Sequence, residues 1–98
     1  METIRWSAEA LRRLGEIYDY IAADNPDAAG RVVDGINEKV EILLNHPRIG
    51  WRHKKIKDRE IRIILYGHYR VAYQIEAANV IHILGIYHAA MDMDSQLK

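Results

Sequence analysis

The chain has 98 residues, of which 49% are hydrophobic and 29% charged, with equal numbers of acidic and basic residues and no cysteine. This length predicts one domain, residues 1–98, that buries a modest core without disulfides or metals. A formal net charge of zero argues against a general nucleic-acid-binding protein, which would be basic overall. The lack of cysteine and of an apolar signal segment favours the cytoplasm. No apolar stretch approaches the roughly 20 residues that span a bilayer, so we expect no membrane association.

Two amphipathic helices are predicted in the first half of the chain. Ser7 is a candidate N-cap for the first helix, while Asn25 and Pro26 supply the N-cap and first position of the second. His46-Pro47 should end the second helix. Apolar residues recur at three- and four-residue spacing in both segments. They are Leu11, Leu14, Tyr18 and Ile21 in the first helix, and Ala29, Val33, Ile36, Val40 and Leu43 in the second. The short connection predicts an antiparallel αα-hairpin.

Three β-strands are predicted in the second half, because its segments are rich in β-branched and aromatic residues and are separated by turn sequences. The strands are Glu60–Leu65, Tyr69–Ile75 and Val80–Tyr87, with Thr3–Trp6 as one further short strand. We therefore expect an α+β fold in which an N-terminal strand and an αα-hairpin precede a three-stranded antiparallel meander. The sheet would have four strands, with the helices on one face. Alternation turns Val71, Tyr73 and Ile75 toward the helices and Arg70 toward the open face.

A single hydrophobic core is expected between the helices and the sheet. Its predicted members are Leu14, Tyr18, Ile21, Val33, Ile36, Val40 and Leu43 from the helices, and Ile63, Val71, Tyr73, Ile75, Ile81 and Ile83 from the strands. Truncating Ile36 or Val71 to alanine should then cost about 1–4 kcal/mol, as large-to-small changes in cores do.

Charge is distributed unevenly along the chain. Residues 1–47 hold nine acidic and five basic residues, whereas residues 48–98 hold five acidic and nine basic. Most of the basic excess lies between Arg48 and Arg70. A local basic face of this kind predicts a docking surface for a polyanion or an acidic partner. The alternative is a solvated loop and sheet edge, since edge strands often carry lysine to prevent aggregation.

Neither a cofactor nor a metal is expected from the motifs. The six glycines are scattered and form no phosphate-binding or dinucleotide-binding loop. The five histidines have no cysteine to join them and no pair at the spacing that places two zinc ligands on one helix face.

Short sequence motifs follow the predicted elements in a fixed order. In chain order they are Asp24-Asn25-Pro26, His46-Pro47-Arg48-Ile49-Gly50, Arg59-Glu60-Ile61, Tyr69-Arg70-Val71-Ala72-Tyr73, Ile83-Leu84-Gly85-Ile86-Tyr87-His88 and Met91-Asp92. Together they closely resemble the RelE/ParE superfamily of toxins from type II toxin–antitoxin systems. The resemblance extends from about Trp6 to Asp92, nearly the whole chain.

The resemblance implies a small toxin that is neutralised by a cognate antitoxin, whose flexible segment wraps around it. Operator DNA would then be contacted only indirectly, through the antitoxin. RelE-like members of the superfamily are ribosome-dependent ribonucleases that cut mRNA, whereas ParE-like members bind and poison DNA gyrase without known hydrolytic chemistry. A third possibility is a degenerate member that only binds its antitoxin.

The ribonuclease alternative depends on Arg70 and His88. Arg70 matches the arginine that ribonuclease relatives use on phosphate, and His88 falls where some of them place a catalytic histidine. Both would need to lie on the open face of the sheet. Against this, Ile61 and Ile63 stand where RelE carries catalytic lysines, and Ser95 or its neighbours replace its C-terminal tyrosine.

Structural roles are the alternative for the same residues. Arg70 could form an ion pair with Glu60 or Asp92, and His88 could cap the last strand through the backbone. Tyr87 is expected in the core, although an aromatic beside basic residues can also stack on a base. The two roles remain equally open for Trp51.

The ParE branch is favoured by His46-Pro47-x-Ile49-Gly50 and by His88 followed by Met91-Asp92, with Met91 in place of the arginine that many ParE sequences carry. We therefore expect a ParE-like toxin that poisons gyrase. Residues in the basic stretch and near the last strand are the candidate contacts for its target or antitoxin. They are Arg48, Trp51, Arg52, Lys54, Lys55, Lys57, Arg59, Arg62, Tyr87 and Met91.

Overall fold

The computed structural model describes residues 3–53 and 58–89. Two α-helices, two short 3₁₀ turns (Ile42–Leu44 and Ala77–Asn79) and five strands occur in this part of the chain. In order, the α-helices and strands are β1 (Thr3–Trp6), α1 (Ala8–Ala22), α2 (Pro26–Glu41), β2 (Trp51–Arg52), β3 (Ile61–Tyr66), β4 (Tyr69–Glu76) and β5 (Val80–His88). The predicted α+β class and the element order are confirmed, and the strands of the meander end within a residue of their predicted limits. Within the described residues, no helix has the length and apolar character needed to cross a membrane.

Both helices begin at the predicted N-caps. The Ser7 Oγ accepts a hydrogen bond from the Ala10 N–H at 3.0 Å, and the Asn25 Oδ1 accepts one from the Ala28 N–H at 3.1 Å. Each side chain satisfies a backbone donor that has no partner inside the first turn. Ser7 also donates to the Leu84 carbonyl at 2.9 Å, which attaches the start of α1 to β5. The Ser7 cap therefore fixes the position of α1 against the sheet.

The sheet has the strand order β1-β5-β4-β3-β2. β1 runs parallel to β5, and all other neighbours are antiparallel. The prediction of four strands is wrong because β2 adds a fifth at the edge. β2 contains only Trp51 and Arg52, so it is too short for its alternation to be recognised in a sequence. This edge strand places the first part of the basic stretch beside β3.

The main core lies between the helices and one face of the sheet, which we call the helix face. Its buried residues in the described part of the chain are Ala10, Ile36, Val40, Leu43, Ile64, Val71, Tyr73, Ile81, Ile83 and Ile86. Leu14 and Ile75 pack against it, as predicted. Tyr18 was predicted in this core, but it is 41% exposed because it lies at the margin of the helical stripe.

A second, smaller cluster lies on the opposite face of the sheet, which we call the far face. It contains Ile61, Ile63, Ala72 and Tyr87, with Leu84 packed against them. Ile63 pairs with Ala72 across β3 and β4, so its side chain shares the far face with Ala72. The prediction of one core containing Ile63 is therefore wrong. Strand alternation turns Ile63 and its neighbour Ile64 to opposite sides, and both are buried.

Candidate functional site

A polar network holds the loop between α2 and β2. The Tyr73 hydroxyl, on β4, donates to the Pro47 carbonyl at 2.7 Å and accepts from the Gly50 N–H at 3.0 Å. Arg62 donates to the Gly50 carbonyl at 2.8 Å. Gly50 is required here, because an added Cβ would lie 2.5 Å from the Ile63 carbonyl oxygen and 2.8 Å from the Tyr73 hydroxyl. The conformation of this loop, and the position of Trp51 after it, are thus set by β3 and β4.

Glu60 joins two of the predicted contact residues. Its carboxylate lies 3.0 Å from the Arg48 Nε and 2.9 Å from the Arg62 Nε. Partial burial raises the pKa of Glu60, but hydrogen bonds and charge from Arg62 and Arg48 outweigh that effect and leave its pKa lowered. The carboxylate therefore remains charged between two guanidinium groups. Arg48 and Arg62 therefore have a structural role as partners of Glu60, although Arg48 still exposes most of its side chain.

Other arginines of the basic stretch also form hydrogen bonds within the protein. Arg59 donates through Nε and Nη2 to the Gln74 Oε1 at 2.9 and 2.6 Å. Arg52 donates to the Arg59 carbonyl at 3.5 Å, and its side chain is exposed. The other candidates from the sequence lie outside the described residues. They are Lys54, Lys55, Lys57 and Met91.

Exposed apolar side chains border the basic stretch. Trp51 is 51% exposed, Ile49 56% and Leu65 48%. Large apolar groups exposed together mark interaction sites more often than isolated ones do. The structure thus leaves Trp51 available for a partner. Ile49 and Leu65 were not predicted as contacts, although their apolar character beside charged residues was the available signal.

Tyr87 is a core residue and is not available as a contact. It is only 2% exposed, and its hydroxyl lies over Gly85, where an added Cβ would collide with it. The Arg13 guanidinium lies 6.0 Å from the centre of the Tyr87 ring. Burial raises the pKa of Tyr87, with a smaller contribution from Glu9. Arg13 belongs to the polar side of α1 in the sequence pattern, so this contact was not predicted.

Arg70 and His88 lie on different faces of the sheet. Arg70 pairs with Tyr87, and Tyr69 pairs with His88, so alternation sends Arg70 to the far face and His88 to the helix face. His88 contacts the Tyr69 ring edge-on at 5.7 Å and stacks on His68 at 6.2 Å. Arg70 thus lies on the face away from the helices, as predicted, but His88 does not share that face, which the ribonuclease alternative requires. Paired neighbours on adjacent strands share a face, and these two residues are not paired.

The two residues that the resemblance aligns with lysines of RelE are buried. Ile61 and Ile63 are fully buried in the far-face cluster. Of the two alternative partners of Arg70, Glu60 is bound instead by Arg48 and Arg62, and Asp92 lies outside the described residues. Among residues 3–53 and 58–89, no group of three or more His, Cys, Asp or Glu side chains is placed to hold a metal ion.

Comparison with known protein families gives a match over most of the chain. Residues 4–93 match the family described as the ParE toxin of the type II toxin–antitoxin system parDE. The chain belongs to the ParE toxin family. A curated relative, "Putative toxin Y4kP" of Sinorhizobium fredii, is 41% identical over 86 residues, which cover 88% of this chain and 86% of that protein. The resemblance to the RelE/ParE superfamily, and to its ParE branch, is thus confirmed.

A solved structure supports the ParE fold. The structure, described as the chromosomal ParDE toxin–antitoxin system from P. aeruginosa, aligns with a TM-score of 0.73 and 22% sequence identity. The alignment covers 90% of this chain and 96% of the other. At this identity the similarity establishes the fold. Membership of the ParE family makes the chain a toxin of a ParDE-type system and implies an antitoxin partner.

Proposed function

We propose that this ParE toxin arrests growth by binding and poisoning DNA gyrase, and that a cognate antitoxin neutralises it by covering part of its hairpin and sheet. The observation that carries the proposal is the separation of Arg70 from His88 on opposite faces of the sheet. A cleavage reaction would require an acid or base and a phosphate-binding cation at one phosphate. An inhibitor that acts by binding requires neither. A cytoplasmic location is part of the proposal, because gyrase and the antitoxin act there.

The buried isoleucines add support for a binding mechanism. A ribonuclease of the RelE type would need its lysines to reach solvent, whereas Ile61 and Ile63 fill the far-face cluster. The exposed groups instead combine apolar and basic character, with Arg52 next to Trp51 in the chain and Arg48 three residues before it. Aromatic and arginine side chains are the residues that most often contribute strongly to protein–protein interfaces. The surface composition favours a protein as the target.

The first test is inducible expression in a bacterium, with growth, DNA-damage signalling and mRNA integrity followed in parallel. We expect growth to stop and DNA-damage signalling to rise before any mRNA cleavage appears. Purified toxin should also inhibit DNA supercoiling by purified gyrase. Growth arrest with mRNA cuts in the ribosomal A site would contradict the proposal, above all if the cuts disappear in Arg70→Ala. Normal growth at confirmed expression would indicate a member that only binds its antitoxin.

The second test compares two variants in the same expression system. His88→Gln should leave growth arrest largely intact, because no proton transfer is required. Trp51→Ala combined with Arg52→Glu should relieve it by weakening an interface. A ribonuclease would give the reverse pattern, with a loss of about two or more orders of magnitude in cleavage rate on removal of His88. Circular dichroism of both variants checks that each one folds.

A further inference from the structure

Four arginines of the described residues are partly buried, and three of them are hydrogen-bonded to another side chain. The three pairs are Arg13 with Glu9, Arg59 with Gln74 and Arg62 with Glu60. The fourth is Arg70, which forms no hydrogen bond or ion pair with any residue that the structure describes. A guanidinium group that is withdrawn from water without a partner lowers stability, so such groups are normally paired. Arg70 therefore differs from the other partly buried arginines in lacking an acceptor.

The strand register explains why the sheet supplies no acceptor. Arg70 lies between Leu65 of β3 and Tyr87 of β5 on the far face. Its diagonal neighbours on those two strands are Ile63 and Gly85. None of these four neighbours carries a negative charge. The far face thus holds a cation that the strands around it leave without a counter-charge.

Glu9 on α1 cannot serve as the missing partner. Its charge acts on Tyr87, the neighbour of Arg70 on β5. Its carboxylate, however, lies 2.6 Å from the Arg12 Nη2 and 3.3 Å from the Arg13 Nε. Hydrogen bonding from Arg12 is the main cause of its lowered pKa. Two other arginines therefore already bind this carboxylate.

Apolar surface next to Arg70 favours a protein ligand. Leu65, which pairs with Arg70, is 48% exposed, and Trp51, which shares the far face through its pairing with Ile63, is 51% exposed. Arginine and tryptophan are among the residues that contribute most to protein–protein interfaces. A nucleic-acid backbone is instead bound through several neighbouring cations, and the strand neighbours of Arg70 include none. The surroundings of Arg70 are therefore suited to a carboxylate presented by another protein.

We infer that Arg70 binds an acidic side chain of gyrase, with Leu65 and Trp51 as the apolar border of the contact. This inference rests on the proposed poisoning of gyrase and specifies a residue through which the toxin recognises its target. The guanidinium group is planar and can donate two parallel hydrogen bonds to one carboxylate. Arg70 stays unpaired in the free toxin because its acceptor is on the target.

The first experiment measures inhibition of DNA supercoiling by purified gyrase. Arg70→Gln should raise the toxin concentration needed for half-inhibition about tenfold or more, as loss of a strongly contributing interface residue does. Arg70→Lys keeps the charge but not the planar group, so its increase should be smaller. Arg5→Gln is the matched control, since Arg5 is exposed on the far face at the opposite edge of the sheet and should have no effect. Equal losses for Arg70→Gln and Arg5→Gln would indicate a general attraction by charge and overturn the inference.

Denaturant unfolding separates recognition from a structural role of Arg70. The unfolding midpoint of Arg70→Gln should equal or exceed that of the unaltered toxin, because the change removes an unpaired, partly buried charge. A lower midpoint, or failure of the variant to fold, would mean that Arg70 has a partner within its own chain, such as Asp92. Either result would overturn the inference.

A pair of substitutions at Leu65 tests the contact without changing Arg70. Leu65→Glu places a carboxylate directly across from Arg70, where the two should form a cross-strand ion pair. Leu65→Gln is the control of the same size without the charge. Leu65→Glu should require about tenfold more toxin for half-inhibition than Leu65→Gln, because its carboxylate occupies Arg70 and repels an acidic partner. Equal inhibition by the two variants would contradict the inference.

Binding of labelled toxin to purified gyrase in the absence of DNA identifies the class of ligand. Arg70→Gln should weaken this binding about tenfold as well. A loss of affinity that appears only when DNA is added would assign Arg70 to a phosphate group and overturn the inference. If the unaltered toxin inhibits gyrase and Arg70→Gln inhibits it equally, the inference fails while gyrase poisoning stands. If the unaltered toxin neither binds nor inhibits gyrase, the proposed function fails and the inference with it.

Discussion

The two faces of the sheet are both buried, but they are covered to different extents. The helix face carries a cluster that includes Ile36, Val40 and Leu43 from α2 and the following turn. The far face carries a smaller cluster, of which only Ile61, Ile63, Ala72 and Tyr87 are buried among the described residues. The difference shows that apolar strand residues do not all belong to one core. Arg70 and His88 lie near each other along β4 and β5, but they project from different faces of the sheet and do not meet at one site.

The largest effect is expected on the helix face. Ile36→Ala should lower the free energy of unfolding by about 2–4 kcal/mol, in the upper part of the range expected from the sequence, because Ile36 is fully buried between the layers and its truncation leaves a cavity. Denaturant unfolding measures the change. Leu11→Ala is the matched control, since Leu11 is 55% exposed on α1 and should change stability by about 0.5 kcal/mol or less. Similar costs at both positions would mean that the helices do not pack as described.

Truncation of a side chain on the far face should cost less stability than truncation on the helix face. Ile63→Ala is expected to cost about 2–3 kcal/mol, because Ile63 is fully buried but its cluster is small and can relax around the cavity. The same unfolding measurement applies. A cost as low as that of Leu11→Ala would show that the far-face cluster contributes nothing and that the sheet has one effective core. A cost above that of Ile36→Ala would reverse the ranking of the faces.

The next largest effect on stability is expected at Tyr73, whose hydroxyl holds the loop between α2 and β2. Tyr73→Phe should cost about 1–3 kcal/mol, because it leaves the Pro47 carbonyl and the Gly50 N–H without their partner in a partly buried site. Faster exchange of the Gly50 amide should accompany the loss. Tyr20→Phe is the control, since Tyr20 is exposed. Unchanged stability together with unchanged exchange at Gly50 would show that the loop is held by other groups.

Alkaline pH offers a comparison of one tyrosine on each face. Burial raises the pKa of both Tyr73 and Tyr87 above the ordinary value of 10.0. Folding thus favours the neutral phenol, and this contribution is fully present below pH 10.0 and decreases as the pH rises through the folded-state pKa. Between pH 9 and 11, the free energy of unfolding should decrease less in Tyr73→Phe and in Tyr87→Phe than in the unaltered protein. Identical pH profiles would mean that neither phenol is buried.

The smallest effect is expected at the ion pairs of the basic stretch. Glu60→Gln should cost about 1 kcal/mol or less at neutral pH, because Arg48 is largely exposed and water screens the pair. The pKa of Glu60 is lowered from 4.5, so its contribution is present above pH 4.5 and is lost as the pH falls through the folded-state value. The variant should therefore lose less stability on acidification. A steeper acid loss in Glu60→Gln would contradict the pairing.

Much of the fold was predictable from local chemistry. The caps at Ser7 and Asn25 and the change of period after Pro47 depend on residues close in sequence, so they identified the helices and the meander. β2 was not predicted because a strand of two residues is too short to show an alternation of apolar and polar side chains. The assignment of Ile63 to the main core was wrong because a run such as Ile61 to Leu65 is apolar on both faces, which alternation alone does not resolve.

The candidate site was predictable only in part. Trp51 and Arg52 are exposed as a contact surface requires, whereas Tyr87 is buried over Gly85 and Arg48 and Arg62 are bound to Glu60. Composition identified the basic stretch, but it did not indicate which cations the fold itself uses. The part of the β3 edge that β2 does not cover was not predicted, since it depends on where β2 stops along β3.

By itself, the sequence determined the family, the helices with their caps and the order of the strands, because these follow from short-range pattern and from motifs. Only the tertiary structure decided which face of the sheet each strand residue joins, which arginines are neutralised and where the sheet edge stays open. Those properties depend on register between segments that are distant in the chain. A shift of one residue in register would exchange the faces of Arg70 and Val71 and change the function that the surface supports.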